Sequence, residues 1–221
     1  LLKQVGTGPV IETIRKAGIT TPLADNLSLG LGSSEVNPLE MASAYGVFAN
    51  GGLRVEPIPF TRVAEENGRI LEEKKPEAHR VFDERSVALL NQVLSGVVER
   101  GTGKGARLGR PAAGKTGTTD NSRDAWFVGY TPQYVAALWV GNDQNTPMRG
   151  ATGGSVCAPA WGSLMREVVK NTPAQPFPVP APAKSPTLKP SVSPTPSASP
   201  TNPVELEDPS ELYTEPGTSS L

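Results

Sequence analysis

The chain has 221 residues but only one cysteine, Cys157, and one histidine, His79. A lone cysteine excludes an internal disulfide framework. The lone histidine sits in no metal-ligand pattern of ordinary spacing. No run of about 18 uninterrupted apolar residues occurs, so no transmembrane helix is read in this stretch. The opening Leu1-Leu2-Lys3-Gln4-Val5 also lacks the basic segment and long apolar run of a secretion leader. Charges balance: 21 Lys and Arg against 22 Asp and Glu leave a net −1, which gives no electrostatic case for nucleic acid as a partner. Two further absences concern chemistry. No serine stands three residues before a lysine, and none stands two residues before an asparagine. Thr13-Ile14-Arg15-Lys16 comes nearest to the first pattern and reads as a solvated helix face. Thr119-Asp120-Asn121 comes nearest to the second and reads as loop chemistry. There is no initiator methionine and Leu1 falls inside a helical pattern, so the chain reads as a piece of a longer polypeptide.

What is abundant is proline, with 23 residues, more than half of them after Asn171. That distribution divides the chain into a domain over residues 1–172 and a Pro/Ser/Thr-rich tail over 173–221. Such a tail buries too little apolar area to offset its ordering entropy and is expected to be disordered or polyproline-like. Within the domain, apolar spacing predicts two short helices over 1–18, broken at Gly6-Thr7-Gly8-Pro9 and stopped at Gly18. Asn37-Pro38-Leu39-Glu40 predicts an N-cap, a proline at the first helical position and a capping-box acid. The helix it opens ends at Asn50-Gly51-Gly52. Asn67-Gly68 predicts a hairpin turn. Asp83 predicts the cap of a helix running to about Arg100, with Val87, Leu90, Leu94, Val97 and Val98 inward and a flexible loop at Gly101–Gly105 after it. Three strands are predicted over 112–118, 125–130 and 134–140, the last two joined as an antiparallel hairpin. A terminal helix is predicted over 161–170, apolar at Trp161, Leu164, Met165, Val168 and Val169. Helices and antiparallel strands in separate runs predict an α/β (α+β) domain, an antiparallel sheet flanked by helices.

The most informative stretch is Gly114-Lys115-Thr116-Gly117-Thr118-Thr119, followed by Arg123-Asp124-Ala125-Trp126-Phe127-Val128-Gly129-Tyr130. One reading makes Gly109 to Thr116 a phosphate loop, since G-x-x-x-x-G-K-[ST] matches at every defined position. That reading needs a buried strand before the loop and a helix after it; Gly101–Leu108 is no buried strand, and Gly117, Asp120 and Asn121 come next. Pro111 also removes one amide donor from such a cradle. The other reading makes residues 112–118 a strand at the rim of a cleft. Side chains alternate along a strand, so Lys115 and Gly117 share one face while Thr116 and Thr118 share the other. A substrate ending in a carboxylate needs a cation and hydroxyl donors, and Lys115, Thr116 and Thr118 supply both. Gly117 keeps the strand open to an approaching backbone.

The strand and its surroundings resemble the transpeptidase domain of class A, bifunctional penicillin-binding proteins. The resemblance rests on Lys115-Thr116-Gly117-Thr118-Thr119, on residues 123–132 and on residues 134–141. Upstream it is carried by Leu27 to Ala42 and Tyr45 to Gly52, and downstream by Gly153-Gly154 with Ala158-Pro159-Ala160-Trp161. In all it covers about residues 1–170. Lys-Thr-Gly is the third motif of these serine acyl transferases, and Ser-x-x-Lys and Ser-x-Asn are the other two. The resemblance implies a penicillin-binding, β-lactamase-like fold, incomplete in this chain. It implies that Lys115 binds the terminal carboxylate of a D-Ala-D-Ala stem peptide and supports proton traffic. Thr116 and Thr118 then hydrogen-bond that carboxylate, or the acid of a β-lactam, and the Thr118 backbone N–H completes an oxyanion hole. The nucleophilic serine, its lysine and the second motif are expected upstream of Leu1, together with a glycosyltransferase domain and a membrane anchor. The expected location is the extracytoplasmic face of a bacterial membrane, and the chain alone is expected to be inactive. No cofactor or metal is called for.

The remaining candidates have plainer readings. His79 sits in a polar, exposed segment. Arg123 and Asp124 read as a structural pair holding the loop after the motif. Trp126, Trp139 and Trp161 read as core packing, and Cys157 as a small buried residue. Besides the phosphate-loop protein, two alternatives stay open: a β-lactamase-like hydrolase, for which no water-activating glutamate is evident, and a non-catalytic wall-binding module.

Overall fold

The computed structural model describes residues 1–179. Helix α1 (Leu2–Val5) and helix α2 (Thr7–Ala17) are separated at Gly6, and α2 stops at Gly18 in the left-handed conformation. A 3-10 turn over Leu27–Leu31 leads to helix α3 (Pro38–Ala49). Asn37 caps α3 as its sequence predicts, its side chain accepting from the Leu39 amide at 2.8 Å. Glu40 does not complete a capping box. Its carboxylate accepts instead from the amides and hydroxyls of Thr20 and Thr21, pinning the chain after α2 to the first turn of α3. Those bonds hold the Glu40 carboxyl down at about 2.

After α3 the chain turns through Gly51 and Gly52, both at positive φ. A Cβ on Gly52 would lie 2.3 Å from the Phe82 carbonyl, so no other residue fits there. Strand β1 (Leu53–Val55) pairs antiparallel with β4 (Ala78–Arg80). Between them, β2 (Arg62–Ala64) and β3 (Ile70–Glu73) form the hairpin predicted at Asn67-Gly68. Helix α4 (Glu84–Glu99) is capped by Asp83, which accepts from the Ser86 amide at 2.9 Å.

The central sheet has the order β5 (Ala113–Thr118), β6 (Asp124–Tyr130), β7 (Val135–Gly141), antiparallel throughout. Helix α5 (Ala158–Val168) begins three residues earlier than its apolar spacing suggests, because Pro159 is accommodated in its first turn. Register places Lys115 opposite Val128 and Thr116 opposite Phe127. One face of the sheet packs Ala125 and Phe127 under Trp161, Met165 and Cys157. The other packs Ala113 and Tyr130 against Ala49, Tyr45 and Phe48 of α3. Helix α4 supplies Val98 to the first cluster and Leu94 to the second, so it stands beside the β5 edge. Tyr130 is fully buried and donates its hydroxyl to Asn91 Oδ1 at 2.6 Å, while Asn91 donates to the Phe48 carbonyl at 3.0 Å. This bridge ties sheet, α4 and α3 together.

Several expectations are corrected. Gly101–Gly105 is no flexible loop: Gly103 is buried, and residues 104–106 form a 3-10 turn against α5. Leu164 and Val168 face outward, leaving Trp161, Met165 and Val169 as the buried stripe of the terminal segment. Pro173–Val179, assigned to the tail by composition, lie against the domain. Gln133 donates to the Pro173 carbonyl at 2.7 Å, and the Phe177 ring meets Tyr130 edge-on at 5.5 Å. Residues 180–221 of the expected tail lie outside the described residues. No helix among the described residues is long and apolar enough to cross a membrane.

Candidate active site

Among the described residues strand β5 is an edge strand, paired with β6 on one side only. Its first half, Ala113-Gly114, is buried, and its second half opens to solvent at Lys115 and Thr118. The phosphate-loop alternative fails on this geometry. Lys115 lies in an extended strand that ends in the tight turn Thr119–Arg123, with Asn121 and Ser122 at positive φ, rather than in a helix.

The Lys115 ammonium donates to the Thr116 carbonyl at 2.8 Å, and among the described residues no carboxylate forms an ion pair with it. A solvated ammonium with no internal counter-ion is a ready partner for an anionic ligand. The two threonines project on the opposite face, and each is held by an element outside the sheet. Thr116 Oγ1 lies 2.6 Å from Thr102 Oγ1. Thr118 Oγ1 accepts from the Gly153 amide at 3.1 Å, which leaves its own proton free to donate.

Gly153 opens a single π turn (Gly153–Cys157) that lies across β5 and β6. A Cβ on Gly153 would stand 2.1 Å from the Trp126 carbonyl oxygen and 2.6 Å from that of Gly117. Backbone passes over backbone here, and the missing side chain of Gly153 allows it. Thr152 caps the turn reciprocally with Ser155. Cys157 is fully buried, donates weakly to the Ala125 carbonyl at 3.2 Å, and has its thiol pushed up by burial.

Arg123 and Asp124 do not bond each other. Asp124 accepts from the Trp139 indole N–H at 2.9 Å and from the Thr119 hydroxyl at 3.1 Å, while Arg123 donates to the Asn145 carbonyl at 2.9 Å. They brace the β5–β6 turn through separate neighbours. Trp161 is core, as its spacing implies, but Trp139 is 43% exposed and leans on a half-buried Trp126. His79 is exposed on β4, and no group of three acids, thiols or imidazoles able to hold a metal occurs among the described residues. Sequence reasoning missed Thr102 and Gly153. Neither is near Lys115 in the chain, and only the packing of two loops on β5 brings them there.

Residues 3–166 match the family described as the penicillin binding protein transpeptidase domain. The chain belongs to this family. Penicillin-binding protein 1A of Aquifex aeolicus is 39% identical over 182 residues, covering 81% of this chain and 25% of the relative. Its counterpart in Neisseria lactamica is 36% identical over 189 residues, covering 81% and 24%. The chain therefore spans about a quarter of the length of the curated relatives it matches. Among solved structures, the PonA1 protein of Mycobacterium tuberculosis in complex with penicillin V superposes with a TM-score of 0.72 at 26% identity, covering 80% of this chain and 54% of that one. Penicillin-binding protein 1A of Haemophilus influenzae gives a TM-score of 0.72 at 24% identity over 81% of this chain and 33% of that one, a likeness of fold. The three-stranded sheet between α5 and α3 is thus the penicillin-binding transpeptidase fold, present in part.

Proposed function

We propose that this chain is the C-terminal part of the transpeptidase domain of a peptidoglycan synthase, and that β5 is the wall of its substrate cleft. The observation that carries the reading is the Lys115 ammonium, without an ion pair among the described residues, on a strand that also presents the anchored hydroxyls of Thr116 and Thr118 from its other face. In the intact polypeptide, a serine outside this sequence attacks the penultimate D-Ala carbonyl of a stem peptide. The Ser O–acyl bond forms, the peptide C–N bond breaks, and the serine proton passes to the departing D-Ala amine. An amine from a neighbouring strand then takes the acyl group and returns the proton to serine. This divides one difficult aminolysis into two displacements.

In this proposal Lys115, Thr116 and Thr118 grip the terminal carboxylate, and Gly117 lets the substrate backbone lie close. The Thr118 N–H and the serine N–H stabilise the developing oxyanion. Arg123 and Asp124 brace the turn that ends the strand. A β-lactam, whose ring acid imitates that carboxylate, acylates the same serine. The upstream polypeptide adds the glycosyltransferase domain and the membrane anchor that hold the site at the extracytoplasmic face of a bacterial membrane. The hydrolase alternative differs in the fate of the acyl group, which passes to water there and to an amine here.

The test is covalent labelling. Fluorescent penicillin is expected to label the intact polypeptide at a serine upstream of Leu1 and to leave the 221-residue chain unlabelled. An adduct on a residue of this chain, or a correctly folded intact protein that takes no label, overturns the proposal.

A further inference from the structure

The loop after α4 brings a residue to β5 that neither the sequence motif nor the family match assigns. Gly101 and Gly103 donate to the carbonyls of Gly96 and Val97, each at 2.9 Å, which folds the loop back on its helix. Gly103 is closely packed, since a Cβ there would lie 3.0 Å from the Phe127 ring. On its other side, a Cβ on Gly154 would lie 2.7 Å from the Thr102 carbonyl oxygen. Thr102, itself exposed, is thereby flanked by contacts to α4, β6 and the π turn. Among the described residues its hydroxyl has one partner, Thr116 Oγ1 at 2.6 Å, and it caps no helix.

We infer that Thr102 is a positioning residue that sets Thr116 as a hydrogen-bond donor to the carboxylate of the acyl donor. Between two hydroxyls either oxygen can donate. An arriving carboxylate only accepts, so it selects one arrangement: Thr102 donates to Thr116, and Thr116 donates to the anion. Two bonds in series polarise each other. Without Thr102, the Thr116 hydroxyl rotates freely and must be ordered by the substrate itself. The same device operates at Thr118, where the Gly153 amide fills the acceptor site and directs the proton outward. Both hydroxyls of β5 are thereby preorganised before an anion arrives.

This inference rests on the proposed carboxylate site, and the experiment separates the two. Acylation rates of the intact protein are measured with penicillin V and with its methyl ester, for the parent, Thr102→Val, Thr102→Ser, Thr116→Val, the double variant and Lys115→Ala. Losing the neutral Thr102–Thr116 hydrogen bond predicts that Thr102→Val acylates about fivefold more slowly with the acid and is changed less than about twofold with the ester. Thr102→Ser is expected to retain the parent rate, and Thr102→Val to add nothing in the Thr116→Val background. An unchanged rate with the acid, or equal losses with acid and ester, overturns the positioning role. Normal acylation of Lys115→Ala by the acid instead overturns the site reading beneath it. If Thr102→Val does not fold, Thr102→Ala removes the hydroxyl without added bulk and carries the same comparison.

Discussion

Replacing Gly153 by alanine tests whether the π turn and β5 meet as closely as the structure has it. The new methyl carbon would start 2.1 Å from the Trp126 carbonyl oxygen, 2.6 Å from the Gly117 oxygen and 3.0 Å from the Gly117 nitrogen. All three are backbone atoms of paired strands, so the turn must move rather than the sheet. Reaching even a tight 3.0 Å contact with Trp126 requires a retreat of roughly 1 Å. That stretches the 3.1 Å bond from the Gly153 amide to Thr118 to roughly 4 Å, which is no hydrogen bond. Overpacking of this kind costs about 1–3 kcal/mol, and the lost bond adds about 1 kcal/mol. Gly153→Ala should therefore destabilise the domain by about 2–4 kcal/mol, read as a lower urea midpoint at unchanged slope. Thr118 also loses the donor that orients it, so acylation by penicillin should slow in the fraction that remains folded. A variant within about 0.5 kcal/mol of the parent would refute the close approach.

Three other outcomes concern buried and charged contacts. Tyr130→Phe leaves Asn91 Oδ1 buried without its donor, which should cost about 1–3 kcal/mol in urea unfolding. Burial also raises the Tyr130 phenol, so no tyrosinate absorbance from this ring should appear while the domain stays folded at alkaline pH. Glu40 has its folded value depressed from 4.5 to about 2, so its stabilisation is complete above pH 4.5 and is lost as pH falls towards 2. Glu40→Gln should flatten that acid limb and, because the site is half-exposed, cost only about 1 kcal/mol at neutral pH. Parallel acid curves for the parent and Glu40→Gln would contradict the assignment.

What could be read from the sequence was local. The caps at Asn37 and Asp83, the Asn67-Gly68 turn and the three strands around Lys115 depend on residues within a few positions of one another, and each lies close to its predicted place. The β1–β4 pair escaped notice because three-residue strands next to Pro57 and Pro76 carry no alternation to detect. Helical spacing misplaced Leu164 and Val168, since periodicity marks an apolar stripe but not how much of it a neighbour covers. Glu40 matched a capping-box pattern and was taken by Thr20 and Thr21, a tertiary contact stronger than the local one. Phe177 was lost in proline-rich composition, although its ring meets Tyr130 and, with the Gln133 bond to Pro173, docks the segment around it. The candidate site divides in the same way. Lys115, Thr116 and Thr118 were legible as a motif, whereas Thr102 and Gly153 reach them only through glycine contacts between distant loops.

The role of Lys115 is tested most directly by the second-order rate at which penicillin acylates the intact protein bearing Lys115→Ala, with circular dichroism and melting recorded on the same sample. Lys115 has no ion pair among the described residues to lose, so the fold should be unaffected while labelling falls below detection. A folded Lys115→Ala protein that labels at the parent rate would contradict the role given to the β5 ammonium.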